Sequence, residues 1–90
     1  MSVKVRISSL LRKYANGQEL LEVTGYSPVE CLHNLVVQFP DIRRWVYDKQ
    51  GELRPQVWFF TNGERISADE LTNPLKDGDE LFIFLALGGG

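Results

Sequence analysis

Metal and thiol chemistry are nearly closed to this chain, because its 90 residues hold only one cysteine and one histidine. A metal centre needs several ligands at recognisable spacing, and neither an HExxH nor a CxxC pattern occurs. Cys31 has no partner for an internal disulfide. Cys31 and His33 lie two apart, a spacing that points side chains away from each other on a helix, so they form no local nucleophile–base pair. Cys31 therefore reads as a small apolar side chain and His33 as a solvated one. No apolar run nears the ~20 residues of a membrane-spanning helix. Neither chain end has the order of charged, apolar and small residues that marks a secretory signal, so the expectation is a cytoplasmic protein with no membrane partner. Cations are not in surplus either: ten Lys and Arg stand against twelve Asp and Glu, net −2, which leaves no footprint for nucleic acid in the totals. The sole glycine cluster is 88–90, whereas a phosphate-cradling loop lies between a strand and a helix. Acidic pairs such as Asp69-Glu70, and Asp77, Asp79 and Glu80, sit in turn-like sequence and read as solvated. No enzyme active site emerges, and no bound cofactor or metal is expected.

What is present suits one small soluble domain: 43% of residues are apolar and 24% charged. Val3-Lys4-Val5-Arg6-Ile7 alternates with the period of two that marks a half-buried strand. Leu10, Leu11 and Tyr14 fall in a long loop closed by Asn16-Gly17, and Leu20 to Val23 returns as a second strand. Ser27-Pro28-Val29-Glu30 carries three helix-start signals: a capping serine, proline in the first turn and glutamate placed for a capping box. The helix should run to about Phe39 before Pro40, with Val29, Leu32, Val36 and Phe39 as its core stripe. Ile42 to Tyr47 has helical spacing. Val57-Trp58-Phe59-Phe60-Thr61 reads as a strand running into Asn62-Gly63, with Ile66 on the returning arm. After the charged turn 76–80, Leu81 to Leu87 reads as the last strand. The order predicts an α+β domain over 1–87, with one main helix across a mixed sheet of four to five strands, followed by a tail over 88–90.

Alternation also predicts a surface. If Val57, Phe59, Thr61, Leu81 and Ile83 face the helix, then Trp58, Phe60, Phe82 and Phe84 face the other way. Four outward aromatics mark a partner-binding site unless the segment 40–55 folds over them. Leu85 and Leu87 are grouped with them as partner contacts.

Gly88-Gly89-Gly90 has no side chains to pack and much backbone entropy to lose, so it adds nothing to stability. The segment before it is informative: Asn62-Gly63-Glu64, then Leu75-Lys76-Asp77-Gly78-Asp79-Glu80-Leu81, a strand, and Gly-Gly. That order resembles the MoaD and ThiS sulfur carriers and the CysO type, all ubiquitin-like β-grasp proteins. Val3-Lys4-Val5 and the stretch from Leu11-Arg12 to Gly17-Gln18 are also similar to the CysO kind. Gly89 and Gly90 match the family's terminal pair, and Gly88 falls where the family often has Ala or Thr. Leu85-Ala86-Leu87 departs from the proline the family commonly has after its last strand, which bears on partner choice.

The resemblance implies that the Gly90 carboxylate is the reactive group. A ubiquitin-activating-type enzyme, a MoeB- or ThiF-like adenylyltransferase, would join it to AMP from ATP. Sulfur would then replace the AMP to give a thiocarboxylate, which a MoaE-like subunit or a cysteine synthase would accept. A protein modifier would use the same activated glycine to acylate lysines. Chain length and the middle segment favour a cysteine- or molybdopterin-type carrier over a thiamine one.

Overall fold

A computed structural model describes residues 1–86. Its elements follow the sequence order: β1 (Ser2–Ile7), α1 (Ser9–Arg12), β2 (Leu20–Thr24), α2 (Pro28–Gln38), α3 (Arg43–Val46), β3 (Val57–Thr61), β4 (Glu64–Ile66) and β5 (Glu80–Leu85). Single 3-10 turns stand at Pro40–Ile42 and Ala68–Glu70. The five strands form one mixed sheet in the order β2-β1-β5-β3-β4, with the first and last strands parallel at its centre. This is an α+β β-grasp fold.

Local chemistry explains the elements. Asn16 and Gly17 take positive φ angles of 55° and 76° where the loop after α1 turns back. Asn62 and Gly63 do the same, at 52° and 87°, in the two-residue hairpin between β3 and β4. That turn is tied to the neighbouring one: Asn62 Nδ2 donates to Asp79 Oδ1 at 2.9 Å, and the Glu80 amide donates to Asn62 Oδ1 at 2.9 Å.

Helix α2 starts where its signals place it, with Ser27 Oγ accepting from the Glu30 amide. The reciprocal bond is displaced by one residue, since Glu30 Oε1 accepts from the Tyr26 amide at 3.0 Å and not from Ser27. The core stripe also differs from the expected one. Pro28, Cys31, Leu32, Leu35 and Val36 are buried, while Val29 and Phe39 are only partly covered. Only Glu30, His33, Asn34 and Gln38 of this helix are polar, so more than one apolar stripe was available. The angle at which it crosses the sheet selects the one in contact.

The core lies between α2 and one sheet face, where Val3, Val5, Ile7, Phe59, Leu81 and Ile83 are at most 2% exposed. Burying each such side chain is worth about 1.5–3 kcal/mol, which makes this layer the main source of stability. Gly25 is needed where β2 leads into α2: a Cβ there would stand 2.7 Å from Cys31 Sγ and 3.0 Å from the Cys31 amide nitrogen. Among the described residues no helix is long and apolar enough to cross a membrane.

Candidate functional site

Every second residue of β3 and β5 points away from α2, and that outer face is aromatic. Antiparallel pairing sets Trp58 opposite Phe84 and Phe60 opposite Phe82. The ring centroids of those pairs are 6.1 and 5.7 Å apart, and Phe82 meets Phe84 edge-on at 5.8 Å, so the four rings form one half-buried band. Cations frame it. The Arg65 guanidinium lies 3.7 Å above the Trp58 ring. At the other side Arg6, paired in register with Phe82, donates to Glu19 at 2.6 Å and Glu80 at 3.2 Å. The hydrogen bond to Glu19, then that to Glu80, holds the Arg6 guanidinium still further above its ordinary pKa.

The segment 40–55 does not fold over this band. It turns inward, with Ile42 and Val46 fully buried in the core, while Leu53, Arg54 and Pro55 approach the Trp58 end to line a hollow with Arg65 and Ile66. Leu85 has to be removed from the partner-facing group. It alternates inward with Leu81 and Ile83 and is 6% exposed, so it is a core residue. Leu87 and Gly88, Gly89 and Gly90 lie outside the described residues.

The end of β5 is anchored by residues that sequence reasoning does not single out. Pairing with β1 reaches only Ile7 and Ile83. Beyond it, the buried Ser8 takes over: its amide donates to the Ile83 carbonyl at 3.2 Å and its Oγ accepts from the Leu85 amide at 3.1 Å. On the other flank the Ala86 amide donates to the Gln56 carbonyl at 2.7 Å. Nearby, Arg44 lies over both Tyr14 and Trp45, at 5.6 and 5.4 Å, and donates to the Tyr14 hydroxyl at 3.4 Å. That hydrogen bond lowers the Tyr14 pKa. Arg54 Nε in turn donates to the Arg44 carbonyl at 3.1 Å. No sequence signal marks this cluster, because its members come from separate stretches that only the fold brings together.

No protein-family model matches the chain, and no curated protein matches it by sequence. Solved structures do. SAMP1 from Haloferax volcanii superposes with a TM-score of 0.84 at 26% identity, covering 100% of both chains. The small archaeal modifier protein 1 of Methanosarcina acetivorans gives 0.82 at 28% identity, over 99% of this chain and 96% of that one. CysO in the Amycolatopsis orientalis BexX/CysO complex gives 0.77 at 28%, over 98% and 99%. Over its full length the chain is similar to small ubiquitin-like proteins of the MoaD/ThiS kind. Proteins of this family are carriers or modifiers and not themselves enzymes.

The remaining reactive groups of this MoaD/ThiS-type chain are structural in their surroundings. Cys31 is fully buried, and burial pushes its thiol up to about 11, with Glu30 adding to the effect. His33 is exposed, so the two share no surface. Asp79 is held below its ordinary pKa by the Lys76 amide and then by Asn62, as a turn-fixing carboxylate is. Glu70 is lowered likewise by the Ser67 amide and hydroxyl. Among the described residues no group of three His, Cys, Asp or Glu side chains is placed to hold a metal ion.

Proposed function

We propose that this chain is a sulfur carrier whose working group is the Gly90 carboxylate. A MoeB- or ThiF-like enzyme activates it: a carboxylate oxygen attacks the α-phosphorus of ATP, pyrophosphate leaves, and an acyl adenylate forms. Sulfide then attacks the acyl carbon and expels AMP, leaving a thiocarboxylate. A MoaE-like subunit or a cysteine synthase takes that sulfur, in molybdopterin or cysteine synthesis. Glycines at 88–90 suit a segment that must enter a narrow active site, because none has a Cβ to obstruct it. The observation that carries the reading is the aromatic band: Phe82 and Phe84 lie on β5, the strand that leads into residues 87–90. A partner seated on those rings is thus placed beside the segment it must handle.

A second reading, that of a protein modifier, is favoured by the full-length likeness to two SAMP1 proteins. It shares the adenylation step and differs in the nucleophile, a lysine amine instead of sulfur. Incubation with ATP, the cell's own activating enzyme and a sulfur source separates the two by mass spectrometry. A sulfur-for-oxygen gain at Gly90 supports the carrier, and adducts on other proteins support the modifier. Deleting Gly90, or adding one residue after it, should abolish pyrophosphate exchange and leave the thermal midpoint unchanged. Unaltered exchange by either variant overturns the assignment of Gly90.

A further inference from the structure

Formal charge is divided unevenly over this molecule. Arg12, Lys13, Arg43, Arg44, Lys49 and Arg54 belong to the segments at the end of the sheet where β5 finishes, against Glu19, Asp41, Asp48 and Glu52 there, with Arg12 paired to Glu19. The opposite end, with the β3–β4 hairpin and the turn before β5, carries Glu64, Asp77, Asp79 and Glu80 against Arg65 and Lys76. A net charge of −2 therefore conceals a basic pole.

That pole has a shape. Tyr14, Arg43, Arg44, Tyr47, Lys49 and Arg54 line a shallow groove. Asp41 and Asp48 line it too, so four cations face two carboxylates, and the Asp48 Oδ1 is occupied by the Gln50 and Glu52 amides at 2.9 Å each. Among the described residues none of the groove's four cations is in an ion pair. The groove also lies next to the point where the described chain stops. Arg54 is two residues before Gln56, whose carbonyl binds the Ala86 amide.

We infer that this groove docks an acidic surface of the ATP-using enzyme that activates Gly90. The inference rests on the proposed function, and adenylation is the step that carrier and modifier share. Unpaired, solvated cations beside a reactive segment raise the rate of encounter with a partner of opposite charge, by about 10 to 10³ in the usual case. Nucleic acid fits less well. Arg44 already lies over the Tyr14 and Trp45 rings, and Arg43 lies 5.5 Å from the Tyr47 ring centroid, so each ring has one face taken by a cation before any base could stack. The acidic pole would also repel a polyanion longer than the groove on a molecule of 31 × 28 × 25 Å.

The test is ATP–pyrophosphate exchange by the activating enzyme from the same cell, with the carrier as varied substrate. Lys13 and Lys49 are exposed, so Lys13→Glu/Lys49→Glu should fold with an unchanged thermal midpoint. At low ionic strength it should raise KM about tenfold with kcat unchanged, and the difference should shrink in about 0.5 M salt. Lys13→Gln/Lys49→Gln should fall between it and wild type, and Lys76→Glu at the acidic pole should match wild type. Equal KM values, or a difference that salt does not reduce, overturn the inference alone. So does a gel shift in which wild type retards RNA and the charge-reversed variant does not while KM stays equal. A wild-type chain that supports no exchange with any activating enzyme overturns the proposed function, and this inference with it.

Discussion

The two faces of the central strands β3 and β5 differ in both burial and residue type. On β5, Leu81, Ile83 and Leu85 are aliphatic and buried, while Phe82 and Phe84 between them are aromatic and half-exposed. On β3, Val57 and Phe59 face the helix, and Trp58 and Phe60 face out. The same backbone hydrogen bonds serve both sets, so pleat alone divides residues that hold the fold from residues free to meet a partner.

Truncating one ring from each face would sharpen or break that division. Phe59 is 2% exposed, and Phe59→Ala should cost about 3–5 kcal/mol in urea unfolding, the usual loss for a buried aromatic. Phe84→Ala, one strand away on the outer face, should cost about 1–2 kcal/mol, since it loses contacts with two rings but is only half-buried. Its larger effect should be on affinity for the activating or accepting enzyme, with about a tenfold rise in Kd. If the two variants lose equal stability, the outer rings are core residues and the division fails.

Alternation along β3 and β5 makes this division legible in the sequence itself, because one β period fits only one assignment of faces. Asn62-Gly63 is equally legible, since few residue pairs accept two consecutive positive φ angles. Helix α2 is legible in extent but not in facing. Its apolar positions surround it so nearly that Val37 is left 65% exposed, while Cys31 and Leu35 take the buried places expected of Val29 and Phe39. Leu85 is misassigned by sequence because its proximity to the glycines outweighs its parity with Ile83. Ser8 and the Arg44–Arg54 cluster are invisible there for a different reason: their contacts span 77 and 10 residues of separation and have no local pattern.

A smaller effect tests whether the helix side holds any chemistry at all. Cys31→Ser places a hydroxyl where the thiol is fully buried, which should cost about 1–3 kcal/mol through an unsatisfied polar group. Sulfur gain at Gly90 should nonetheless continue, because a thiol pushed up to about 11 is almost wholly protonated near neutral pH and is shielded from any donor. Mass measurement on the folded variant decides it. Loss of the sulfur gain would mean that the thiol takes part and that the buried layer is not merely structural.

The smallest expected effect concerns the cation over the outer band. Arg65 is exposed, yet its guanidinium lies 3.7 Å from the Trp58 ring centroid, within the range of a stacked cation–π contact. At an exposed site such a contact contributes about 0.5–1 kcal/mol, so Arg65→Ala should lower unfolding stability by no more than that. Arg65→Lys should keep part of it, because an ammonium retains the charge but not the planar stack. Trp58 emission should shift in both variants, reporting the uncovered ring independently of stability. A loss above about 2 kcal/mol, twice the upper end for such a contact, would place Arg65 and Trp58 among the residues that hold the sheet together. The outer face would then be a second structural layer, and the reading of it as a free docking surface would have to be given up.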